Sequence, residues 1–74
     1  MKIATLVEMA NQIGDFFASM PDREQATLDV ASHLKRFWAP PMRRQLMDYA
    51  RQPAADELRP IVREAASRHA DLII

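Results

Sequence analysis

Few side chains in this sequence could do chemistry, and their spacing keeps them apart. The hydroxyl nucleophiles are Ser19, Ser32, Ser67 and two threonines. Ser32 and His33 are neighbours, and neighbouring side chains on a helix diverge rather than meet. His33 and His69 lack the four-residue spacing that places two imidazoles on one metal from a single helix. Gly14 is the only glycine, so no glycine-rich loop exists to cradle a phosphate. The absence of cysteine excludes disulfide staples, thiolate zinc sites and cysteine-held iron–sulfur clusters. No catalytic, cofactor-binding or metal-ligating residue is therefore assigned, and the isolated chain is not expected to be an enzyme.

Charge is more informative. Ten Lys and Arg balance ten Asp and Glu, but unevenly. Residues 1–34 carry a net −3, residues 35–44 a net +4 and residues 45–74 a net −1. The positive stretch holds Lys35, Arg36, Arg43 and Arg44 around Phe37, Trp38, Pro40, Pro41 and Met42. Lys35 and Arg36 suit the negative end of a helix dipole, whereas Arg43 and Arg44 fall in a first turn, where cations are mildly unfavourable. Some other interaction must compensate them. Trp, Arg and Met are enriched where a surface meets a protein partner. The same residues could hold phosphates and stack on bases, but a net charge of zero argues against nucleic acid. The plainer alternative is Trp38 in the core with four solvated cations around it.

The elements that position these residues read as helices. Abundant Ala, Leu, Met, Arg and Gln favour that state. Pro21, Pro40-Pro41, Pro53 and Pro60 punctuate the chain, marking off four candidate helical pieces. Helices are expected at about 3–19, 22–38, 41–51 and 60–70. The first carries an apolar stripe of Ile3, Leu6, Val7, Ala10, Gly14 and Phe17, and beside it a second of Met9, Ile13, Phe16 and Met20. Together they span about half the cylinder, more than a small bundle needs. Either both stripes are internal or one faces a partner. Gly14 costs on the order of 1 kcal/mol relative to alanine in mid-helix, which a close helix crossing would explain. Asn11 and Gln12 fall outside the main stripe and are read as solvated or bonded to a loop.

Asp22 and Gln25 make a capping pattern for the second helix, whose inward face is expected to be Ala26, Val30, Ala31, Leu34, Phe37 and Trp38. His33, one turn after Asp29, is expected to pair with it at the surface. The third helix offers Met42, Leu46, Tyr49 and Ala50, and the fourth Ile61, Val62, Ala65 and Ala66. Leu72, Ile73 and Ile74 form an apolar tip that a neighbour would have to cover. The expected fold is a small, single, all-α domain of three to four short helices.

At 74 residues and 49% apolar content, the chain is one ordered domain. Small domains without staples often take stability from a partner. No run reaches the ~18 apolar residues of a membrane span. Glu8 interrupts the N-terminus before a signal-peptide core could form. A cytoplasmic protein is expected.

Several of these residues also carry a family likeness. Met9-Ala10-Asn11-Gln12-Ile13-Gly14 with Phe16-Phe17, then Pro21-Asp22, His33-Leu34, Arg36-Phe37-Trp38, Pro40 and Met42-Arg43 resemble the delta subunits of soluble, molybdenum-containing, NAD-dependent formate dehydrogenases. The likeness covers about residues 6–47. It implies an accessory subunit of a complex that oxidises formate to CO2 and reduces NAD+. It further implies that molybdopterin, iron–sulfur clusters and FMN reside in the large partner subunits and none in this chain. The candidate partner-binding residues are Phe16, Arg36, Phe37, Trp38, Met42, Arg43 and Arg44. A nucleic-acid-binding regulator and a scaffold that self-associates when isolated are the rival readings.

Overall fold

In the computed structural model, which describes residues 1–53 and 56–74, the prolines delimit helices. α1 (Ile3–Phe17) buries Leu6, Val7, Ala10 and Gly14 along its main stripe. It stops two residues short of the expected end, where the Ala18 N–H bonds the Gly14 carbonyl at 2.8 Å and the Met20 N–H bonds that of Phe17 at 3.1 Å. α2 (Arg23–Phe37) is capped as its sequence requires: Asp22 Oδ1 accepts from the Gln25 N–H at 3.2 Å. α3 (Pro40–Ala50) begins with both prolines in its first turn, where the missing N–H groups lose nothing. α4 (Pro60–Arg68) starts at Pro60, and a one-turn helix α5 (Ala70–Ile73) ends the chain.

The regular structure of the described residues is thus all helical, in four helices of nine residues or more and one short turn. The Cα radius of gyration is 10.9 Å, against about 11 Å for a folded domain of this length. α2 is the central element, packed against α1, α4 and α5, while α3 closes the bundle over α1 and α4. Leu6, Val30, Leu34, Leu46, Val62 and Ile73 are fully buried at its centre.

Gly14 sits where α1 meets α4. A Cβ placed there would lie 2.7 Å from Val62 Cγ2 and 3.0 Å from Ile61 Cγ2. The glycine is set by that crossing. Three residues earlier, Asn11 clamps the segment leading into α4: its Nδ2 donates to the Glu57 carbonyl at 2.9 Å and its Oδ1 accepts the Arg59 N–H at 2.8 Å. Arg59 Nε also reaches Asp15 at 3.1 Å. These bonds hold Leu58 in the core, where it is 3% exposed.

Three local expectations are corrected. Phe37, expected inward, is 68% exposed, because the helix ends there and Trp38 turns inward in extended conformation (φ −96°, ψ 137°). Asp29 accepts a hydrogen bond from Gln25 Nε2 at 2.9 Å, and the His33 ring lies against Phe37 instead. The apolar tip is covered by the chain itself only at Ile73, while Leu72 and Ile74 stay 37% and 56% exposed. His69 leaves the helical region (φ −119°, ψ 31°), and the break swings Ile73 fully into the core.

Candidate functional site: an aromatic groove between α1 and α2

The second stripe of α1 does not disappear into the bundle. Met9, Ile13 and Phe17 pack partly against the core, whereas Phe16 is 74% exposed. Facing them across an open groove of about 470 Å³ are His33 and Trp38, with Gln12 as the polar member on α1. An aromatic row runs along this edge. The rings of Phe16 and Phe17 meet edge-on at 5.0 Å, Phe17 and His33 lie 6.3 Å apart, and His33 and Phe37 lie 4.7 Å apart. The first two contacts are edge-to-face and the third is tilted at 43°; such contacts favour defined ring orientations. Arg36 lies over the Phe37 ring, 5.8 Å from its centroid.

The seven residues singled out in the sequence divide by environment. Phe16, Arg36, Phe37 and Arg44 are exposed, and Met42 is half-buried. Trp38 is 6% exposed and contributes to the groove wall from within the core. Arg43 is also buried, its Nη1 donating to the Lys35 carbonyl at 2.7 Å. That carbonyl lies in the last turn of α2, where no intrahelical donor follows. The charge-assisted bond supplies one, and it compensates Arg43's unfavourable place in a first turn. Its Nε stays buried with no partner.

Sequence reasoning left Met9 and Ile13 in a second stripe that either was internal or faced a partner, and it did not assign Phe17 and His33 to this surface. The signal was present in the second stripe of α1 and in the four-residue step from His33 to Phe37, which stacks two rings on one helix face. Elsewhere, three ion pairs lie at the surface among the described residues. Arg23 and Glu64 form a two-pronged pair, with both nitrogen–oxygen distances at 3.1 Å. The hydrogen bonds from Arg23 hold the Glu64 carboxyl below its ordinary range, and the arginine charge adds to the effect. The Arg23 guanidinium is raised in turn by the same hydrogen bonds. Thr27, fully buried, donates to the Glu24 carbonyl at 2.8 Å. Among the described residues, no three of His, Asp and Glu gather as a metal site would require. No described helix is long and apolar enough to cross a membrane.

Fold and groove together define a small helical protein that displays an aromatic surface. Comparison with known proteins makes this specific. Residues 5–66 match the family model described as NADH-dependent formate dehydrogenase delta subunit FdsD. The chain belongs to this family of delta subunits. Neither the curated proteins nor the solved structures gave a match.

Proposed function

We propose that the chain is a non-catalytic accessory subunit of a cytoplasmic NAD-dependent formate dehydrogenase, supporting assembly or stability of the large subunits. In this reading those subunits hold the molybdopterin, the iron–sulfur clusters and the FMN, and perform the oxidation of formate. The delta chain docks on them through the groove between α1 and α2. The observation that carries the reading is that the family match, residues 5–66, contains every residue of the groove. Two large aromatic side chains left open on so small a domain are what a subunit surface provides.

The test compares formate dehydrogenase purified from its host with and without this chain. Without it, the yield of assembled complex and its thermal stability should fall, along with bound FMN and molybdenum. Restoring the chain should restore all of them. Formate-dependent NAD+ reduction per fully loaded complex should stay the same. Equal yield, loading and stability in its absence would rule the reading out.

A further inference from the structure

We propose that the groove receives an acidic amphipathic segment of a large subunit, whose apolar side chains enter beside Phe16 and Phe37 while its carboxylates meet Arg36 and Arg44. The inference rests on the accessory-subunit reading and adds the chemistry of the contact.

The argument is one of charge around an apolar slot. Between Asp29 and Asp48 the chain has four cations and no acid. Two of them are engaged within the molecule: Arg43 on the Lys35 carbonyl, and Lys35 on the Ile74 carbonyl at 3.4 Å. Arg36 and Arg44 are exposed and form no ion pair among the described residues; Lys2, Arg63 and Arg68 share that state but lie outside this acid-free stretch, and Arg23, Arg51 and Arg59 each have a carboxylate partner. The bond from Arg43 to Lys35 ties the first turn of α3, which Arg44 follows, to the last turn of α2, which carries Arg36. Arg36 therefore stands at the Phe37 end of the aromatic row, its guanidinium 5.8 Å from that ring, and Arg44 stands on the helix tied to that end. The stripe of α1 that lines the groove contributes no acid; Asp15 on α1 is paired with Arg59. Asp29, the acid nearest Phe37 on α2, is bonded to Gln25.

An apolar slot with cations at one end suits a helix or turn with apolar side chains on one face and carboxylates beside them. A second copy of this chain fits poorly. A two-fold contact centred on this patch would set Arg36 and Arg44 against their own copies. Nucleic acid would be repelled by the −3 charge of residues 1–34, which include the α1 side of the groove.

The experiment measures binding of the full chain to large-subunit complex purified from a host lacking it, at low and high salt. Wild type is compared with F16A, F37A, the double charge reversal R36E/R44E, and R63E on α4 as a reference. A benzoylphenylalanine in place of Phe16 cross-links the occupant for sequencing. Each aromatic truncation is expected to weaken binding about 10- to 30-fold. The charge reversal should weaken it about 10-fold at low salt and much less at high salt, with R63E near wild type. The cross-linked peptide should come from a large subunit and carry net negative charge among apolar residues.

If wild type binds and the charge reversal leaves affinity and salt dependence unchanged, the proposed occupant is wrong and the accessory reading stands. A basic cross-linked peptide, or one from a second copy of the chain, has the same meaning. Failure of the wild-type chain to bind at all overturns the accessory reading itself.

Discussion

At the scale of single residues, the sharpest constraint is Gly14. Replacing it with alanine should gain about 1 kcal/mol of helix propensity, yet the new methyl would sit 2.7 Å from Val62 Cγ2 and 3.0 Å from Ile61 Cγ2. Both neighbours are buried, β-branched and stiff, so the crossing must open, and overpacking typically costs about 1–3 kcal/mol. G14A should therefore be less stable than wild type by about 1 kcal/mol in urea unfolding, the reverse of what propensity alone forecasts. The Arg23–Glu64 pair makes a prediction in pH. Glu64's carboxyl is lowered in the folded chain by its hydrogen bonds from Arg23. The linked stability is present above the unfolded carboxyl's pKa of about 4.3. It is lost as pH falls through the lowered folded value. E64Q should thus melt below wild type at pH 7, and the gap should close in acid. Added salt should narrow it too, because the pair is exposed.

At the scale of elements, the chain's turn back after α4 is the feature to test. The break at His69 places Ile73 among the fully buried residues against α2. I73A should cost about 2–4 kcal/mol, a large share of the roughly 4–11 kcal/mol expected for a domain of this length. L72A, at a side chain 37% exposed, should cost far less, and thermal melts of the two variants separate the cases. The sequence could not show this turn. Its periodicity says that Leu72, Ile73 and Ile74 are apolar, but the direction they take depends on one pair of backbone angles at His69. Leu58 was hidden for a related reason. It lies in no periodic run, and its burial follows from Asn11 bonding the backbone on either side of it, a contact between distant segments. What was legible had a local cause: the Asp22 cap, the proline-started α3 and α4, the Gly14 crossing and the inward faces of α1 and α4. The groove was half legible. Two apolar stripes on α1 announced surplus surface, but their division between core and solvent is decided by where α2 lies.

At the scale of the whole molecule, stability and recognition fall on different aromatic residues, and that separation can be measured. Trp38 looks like an anchor in the sequence, yet it is 6% exposed and forms part of the core. W38A should destabilise the fold by about 3–5 kcal/mol. Its loss of any partner contact would then follow from unfolding and say nothing about the surface. Phe16 and Phe37, at 74% and 68% exposure, are free of that confusion. Replacing both with serine removes apolar area that already faces water, so the cost to folding should stay within about 0.5 kcal/mol for each site. The isolated double variant should melt within a few degrees of wild type and remain soluble at higher concentration, since an exposed aromatic patch promotes association. In the same double variant, recovery with the large subunits should drop well below wild type. A melting temperature that fell as far as that of W38A would mean that these two rings hold the fold together. Unchanged melting with undiminished recovery would move the docking surface away from the groove. The expected combination, a stable fold that no longer docks, is the behaviour of a bundle whose core is complete without the aromatic edge of α1 and α2.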